Sequence, residues 1–322
     1  MKNFVAVLMA ALAAAAPFAA IAQSWPAKPI RFYMTAPTGS SIDVIGRILA
    51  DKIRGPLGQP VVVEDRAGAG GTIATDAAAK AAPDGYTMVL SFNGPLAFGP
   101  YMYARLPYDP FKDLAPVILT TSQPNLLAVN AALPVNSVKE LLEYARRNPG
   151  KLNYGSVGNG SSSHLTMELL KITAGVYIVH IPYNGSPPAA ASLAAGDTQL
   201  LFAVPTAITP LIQAGKVKPL AVTGLKRYSL MPQVPTVAES GLPGFEALAW
   251  NGVLVPAGTP RPVIDRLNRE MNAALQAADV RQKLNAAGLD PVGGTPEQFG
   301  RLIRSEADKW APVIKRTGAK ID

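Results

Sequence analysis

An α/β fold with mostly parallel sheets is what this sequence predicts, on three observations. Apolar β-prone runs alternate with segments of helical period along nearly the whole chain; the turns that lead from strand into helix are rich in Gly and Ser; and Gly or Pro stops most helical segments. With about 300 residues after its leader, the chain is long enough for two lobes, each with its own core.

Residues 1–22 combine Lys2, an apolar run over 4–17 too short to span a bilayer, and the triplet Ala20-Ile21-Ala22. This is the pattern of a secretory signal peptide cleaved after Ala22. The chain contains no cysteine, which excludes disulfides, thiol nucleophiles, lipidated cysteines and cysteine metal sites. Export without disulfides or a second apolar span predicts a soluble periplasmic protein. The formal net charge is +8, but only 16% of residues are charged and the basic ones are scattered. That argues against a nucleic-acid partner, which would gather Lys and Arg on one face. A mild positive field would still steer anionic solutes inward.

Residues 30–35 (IRFYMT) form the first strand. The turn Ala36-Pro37-Thr38-Gly39-Ser40-Ser41 then opens a helix with Asp43 in its first turn and Val44, Ile45, Ile48, Leu49 and Ile53 on one face. Pro56 and Gly58 stop it, and 61–64 reads as a buried strand. The glycine cluster 68–71, opening a helix over 72–81, resembles half of a dinucleotide fingerprint. Its sixth position is Ile73, and a later cluster at Gly158 has Ser163 there, so neither supports a nucleotide site. Residues 86–92 give a strand ending at Asn93-Gly94. Asn93 is either a turn former or a polar amide at a strand's carboxyl end, where open α/β sheets place ligands. Segments 117–121 and 126–130, extended around Pro124, make the first crossing between lobes. Ser137 and Glu140 form a capping box for a helix that turns Leu141, Leu142 and Ala145 inward.

The stretch 154–175, YGSVGNGSSSHLTMELLKITAG, carries the most functional information. A short strand gives way to a turn with Gly155, Gly158 and Gly160; Ser161, Ser162 and Ser163 then open a helix with Leu165, Leu169, Leu170 and Ile172 at helical spacing. Unpaired N–H groups and the positive dipole end attract an anion at such a helix start, and serine hydroxyls add donors. The loop therefore either holds a carboxylate or similar oxyanion, or is a plain capped helix of a βα unit.

Farther on, 177–181 is an apolar strand that places His180 in the core, and the Pro182-Tyr183-Asn184-Gly185-Ser186 turn starts a helix with Pro187 and Pro188 in its first turn. Residues 199–204 and 217–223 are further strands, and 248–255 returns the chain to the first lobe. Helix 261–276 buries Ile264, Leu267, Met271 and Leu275, with Asp265 and Arg269 as an outward pair. Thr295 and Gln298 cap the last helix, whose stripe is Phe299, Leu302, Ile303, Trp310, Val313 and Ile314. No internal repeat is visible.

Reactive chemistry is sparse. The chain has two histidines, no G-x-S-x-G elbow, and no His grouped with Asp or Glu at ligand spacing. His164 either hydrogen-bonds locally or reaches into the cleft. An esterase using one of the serines 161–163 with His164 would lack an acid to orient its base. Oxyanion-type loops without a reacting group indicate binding without turnover, and no metal or cofactor is expected.

The ordered motifs WPAKPIRF, GQPVVVEDRAGAGG, AAPDGYTM, LPYDPFKDLAPV, LNYGSVGNGSSSHL, VHIPYNGSPPA, LAVTGLKR, VPTVAESGLPGFE and GTPRPVIDRLNREMN make the chain similar to the solute receptors of tripartite tricarboxylate transporters, the periplasmic Bug family. The resemblance spans essentially all of the chain after the leader. It implies a type II periplasmic binding fold, with a ligand cleft between two lobes of mainly parallel sheet flanked by helices: residues 23–124 with 249–322, and residues 125–248. It also implies a monomer that captures a small organic carboxylate and hands it to the membrane subunits of a transporter. A sensory receptor for the same ligand class is the alternative. By motif, the carboxylate would lie against backbone and hydroxyls of Ala36, Thr38, Gly39 and Ser40 and of Gly158, Ser161 and Ser162. Asn93, Tyr183 and Asn184 would lie at the pocket edge, and His164 joins them as a ligand contact on the reading in which it reaches into the cleft. The family's first loop usually reads PFxPGGSxD, against TAPTGSSID here, and its Phe-Asp-Asn is Phe202-Ala203-Val204 here. Room at Ala36 and an apolar patch at Ala203 favour a carboxylate with an apolar or aromatic body over citrate or an amino acid.

Overall fold

The computed structural model describes residues 25–318, 320 and 321; the expected leader lies outside the described residues. The chain opens with β1 (Ile30–Met34), α1 (Ser41–Leu57), β2 (Val61–Asp65), α2 (Thr72–Ala79) and β3 (Thr87–Phe92). Two short helical turns, Gly94–Phe98 and Gly99–Met102, precede the long β4 (Leu114–Pro124). After Asn125 come β5 (Leu126–Asn130), α3 (Val138–Arg147), β6 (Asn153–Ser156), α4 (Ser162–Ala174), β7 (Val179–Pro182), α5 (Ser186–Ala195), β8 (Leu200–Ala203), α6 (Pro205–Gln213) and β9 (Val217–Val222). The chain closes with β10 (Leu248–Pro256), α7 (Arg261–Gln276), α8 (Ala278–Ala286) and α9 (Pro296–Thr317).

These strands make two five-stranded sheets, ordered β2-β1-β3-β10-β4 and β7-β6-β8-β5-β9. The pairs around β1 and β6 are parallel, whereas β10 and β5 each run antiparallel to both of their neighbours. Both sheets are thus mainly parallel in strand direction, as expected, with four strands running one way and one reversed. The reversed strands are the two by which the chain enters a lobe after crossing from the other, with no crossover helix to bring them in parallel. With the four forward strands of each lobe ranked in chain order, both sheets run second, first, third, reversed strand, fourth. The topology therefore repeats where the residues do not.

Periodicity explains the layers. The apolar face of α1 (Ile45, Leu49, Ile53) packs with Phe32 and Met34 of β1 and Leu267 and Met271 of α7. On the opposite face of the first sheet lies α9, whose Trp310 meets Phe98 edge-on at 5.2 Å while Trp250 meets Phe299 at 5.8 Å. Helix α9 also touches α4, and one apolar cluster runs from Val89, Phe98 and Trp310 into Tyr154, Leu165 and Leu170 of the second lobe. The two crossings lie side by side: Pro124 pairs with Leu248, and Asn125 and Ala247 are both hydrogen-bonded to Thr223.

Caps and ion pairs differ in detail from the sequence reading. Thr295 and Gln298 form the full reciprocal box. Ser137 caps α3, but the Glu140 carboxylate accepts from the amide of Asn136 (2.7 Å), one residue before the cap. Asp265 pairs with Arg261 at 2.7 Å instead of Arg269, because Arg261 swings to bridge Asp265 and Glu297.

Candidate functional site

Each loop singled out in the sequence follows a forward strand: 35–40 after β1, 66–71 after β2, Asn93 after β3, 157–161 after β6, 183–185 after β7, and Val204 after β8. That end of an open sheet is where ligands collect. The two lobes meet there. A Cβ on Gly94 would lie 2.9 Å from the carbonyl oxygen of Gly160, and one on Gly70 would lie 3.3 Å from that of Asn159. The 68–71 cluster, legible only as half a fingerprint, is a place of close backbone approach between lobes.

In the first lobe Ser40 caps α1: its Oγ accepts from the amide of Asp43 (3.2 Å), and its own N–H donates to the Pro37 carbonyl. The buried Asp43 carboxylate accepts from the amide of Gly39 at 3.0 Å and is held by Arg47 at 2.6 Å, while Thr38 donates to Asp65. Three donors expected to face a ligand, the N–H groups of Gly39 and Ser40 and the Thr38 hydroxyl, are therefore taken by the protein. The next amides, of Ser41 and Ile42, have no protein acceptor among the described residues. Ala36 is half-buried against the first-lobe core.

The serine loop repeats this arrangement. Ser161 caps α4, its Oγ accepting from the amide of His164 (3.2 Å) and donating to the carbonyl of Gly158 (2.6 Å). Gly158 donates its N–H to Ser156 Oγ, and Gly160 donates to His164 Nδ1, both at 3.2 Å. The amides of Ser162 and Ser163 have no protein acceptor among the described residues, and the buried Ser163 hydroxyl has no hydrogen-bond partner. Two helix starts thus present unpaired N–H groups, each at the carboxyl end of its sheet.

The remaining expected residues are placed as follows. Asn93 is buried, and its amide donates to the carbonyl of Leu248 at 3.2 Å, tying the end of β3 to the return crossing. The Tyr183 hydroxyl shares a 2.5 Å hydrogen bond with Ser192, while Asn184 is exposed. Ala203 is buried at the end of β8. His164 adopts the local hydrogen bond of its two open readings. His180 is half-buried, not a core residue. It stacks on His164 at 4.1 Å and 7° and on Tyr154 at 4.7 Å and 18°, and its Nε2 is 2.7 Å from Ser156 Oγ. Sequence reasoning missed this stack. Its one advance signal was the pairing of the strands that flank the serine loop, whose register sets Tyr154 beside His180.

Both imidazoles are held neutral. Burial, then the nearby Lys171 ammonium, lowers His164 to about 4. Burial, His164 and Lys171 lower His180 to about 3 against the opposing pull of Glu168. In the unfolded chain these rings take up a proton near pH 6.5. Their contribution to stability is therefore complete above about 6.5 and is lost as pH falls toward about 4 and 3. Urea midpoints should fall from pH 7 to pH 5, a range above most carboxylate titration. The double variant His164→Asn, His180→Gln should flatten that fall; an equally steep profile in the variant would contradict the assignment.

Two lobes of like topology, joined by paired crossings and facing each other with amide-lined loops, define a two-lobed periplasmic binding protein of type II. Residues 45–319 match the family of tripartite tricarboxylate transporter receptors (TctC), and the chain belongs to that family of periplasmic receptors. It is 39% identical to BugT of Bordetella pertussis over 318 residues, 98% of this chain and 97% of BugT. Among solved structures it is similar to Rpa4515 of R. palustris with adipate, at 37% identity and a TM-score of 0.87 over 92% of this chain and all of that one. It is also similar to MatC of Rhodopseudomonas palustris with bound malate, at 31% identity and a TM-score of 0.83 over 90% of this chain and all of that one.

Proposed function

We propose that this receptor, exported to the periplasm with its leader removed after Ala22, works as a monomer that captures a small carboxylate with an apolar or aromatic body. It passes that ligand unaltered to the membrane subunits of its transporter. The lobes divide at 124/125 and 248/249. The observation that carries the reading is the pair of helix starts, Ser41 with Ile42 and Ser162 with Ser163, whose amides lack protein acceptors at the facing ends of the two sheets. Ala36, Thr38, Gly39, Ser40, Gly158, Ser161 and Ser162 line the anion's position, with Asn93, His164, Tyr183, Asn184 and Ala203 around it. Adipate in one structural neighbour and malate in another support a carboxylate, and adipate's methylene chain supports an apolar body. Capture without turnover is supported by Ser161, whose hydroxyl donates to a backbone carbonyl and not to His164. Calorimetry on residues 23–322 tests the proposal. Benzoate or adipate should bind, while citrate and aspartate should not. Tight citrate or aspartate binding with no response to aromatic acids would overturn the choice of ligand body.

A further inference from the structure

The serine loop is held by more than its own turn. Of its backbone N–H groups, that of Gly160 goes to His164 Nδ1 and that of Gly158 to Ser156 Oγ, which in turn is bonded to His180 Nε2. The two rings lie face to face at 4.1 Å. Behind them Tyr154 backs His180, and its hydroxyl donates to Glu168 at 2.6 Å, where Lys171 also binds at 2.6 Å. From Lys171 on the third turn of α4 to Gly160 at the mouth of the cleft, every link is a hydrogen bond or a stacked ring.

We propose that His164 and His180 are positioning residues: a stacked pair that fixes the backbone of loop 157–161 so that the amides of Ser162 and Ser163 stay open to an anion. This rests on the reading of that loop as a carboxylate site. The chemistry suits histidine. A flat ring can stack on both faces while offering an acceptor at its edge, and a ring that accepts at Nδ1 carries its proton on Nε2 and stays uncharged. Were His164 unable to accept, the N–H of Gly160 would lose its partner, and the loop could turn that donor, instead of the helix start, toward the cleft. The charged and titratable groups facing the pair are Glu168 and Lys171 of α4 and Tyr154 of β6. They bear on the pair from behind, away from the loop that it bonds.

Hydrogen exchange on the ligand-free chain, residues 23–322, tests the positioning directly. His164→Leu should speed exchange of the 157–161 amides about tenfold, the size of one lost hydrogen bond, with the strand amides unchanged. His164→Asn, whose Oδ1 takes the place of Nδ1, should restore the slow rate. A purely space-filling role predicts the reverse order, since leucine fills the buried volume better than asparagine. If His164→Leu does not fold, the same comparison is made with His180→Leu against His180→Gln. Titration with adipate should follow the exchange: weaker in the leucine variants than in the amide variants. Unchanged exchange in the leucine variants, or leucine and amide variants that behave alike, would overturn the proposal. A wild-type chain that binds neither adipate nor benzoate would count against the carboxylate reading, and the exchange comparison would still decide the role of the histidines.

Discussion

Replacing Trp310 with alanine should lower the unfolding free energy by about 3–5 kcal/mol, the range for emptying a buried aromatic site. Trp310 is 1% exposed, packs edge-on against Phe98, and occupies the face of α9 that spans both lobes. Its indole also donates to Glu306 Oε2 at 3.1 Å, a carboxylate shared with Trp250 and with Lys309. Alanine leaves a cavity and takes one of the donors from a buried charge, so the loss should fall toward the upper end. Thermal unfolding should shift down by about 10 °C, at about 2–4 °C per kcal/mol for a chain of this size. Trp310→Phe keeps most of the packing but not the N–H, and should cost less than half as much. A drop of under about 1 kcal/mol for the alanine variant would mean that α9 is not the shared wall of the two lobes.

Gly94→Ala should weaken adipate or benzoate binding about tenfold or more while leaving the fold intact. The added Cβ would meet two groups: the ring of Phe92 at 2.6 Å and the carbonyl oxygen of Gly160 at 2.9 Å. The ring can turn aside, but the carbonyl belongs to the backbone of the opposing lobe, next to Ser161, and can only back away with its loop. Overpacking of this kind costs typically 1–3 kcal/mol, which is about tenfold to a hundredfold in affinity when it is felt only with the lobes together. The signature is a binding loss with little loss in melting temperature. Wild-type affinity in this variant would show that ligand capture does not bring Gly94 and Gly160 together.

The single sequence was most informative where structure depends on neighbours along the chain. Helix α7 and the Thr295 cap appear at the expected residues because apolar period, capping side chains and stop residues act within a turn or two. The amide-rich starts of α1 and α4 were legible for the same reason: serine before an apolar period is a local pattern. Partners across the chain were not. Thr38 could not be matched to Asp65, nor Asn93 to Leu248, because those pairings depend on which loops the sheets set side by side.

What the residues determined unaided was the succession of elements, the two-lobe length and the serine-capped helix starts, since hydrogen-bond caps and hydrophobic period are satisfied locally. Tertiary structure alone decided the reversal of β5 and β10, the stacking of His164 on His180, and the contact of Gly94 with the loop of the other lobe. Each brings together residues from distant parts of the chain, and their meeting is fixed by where the crossings and strand registers carry the backbone.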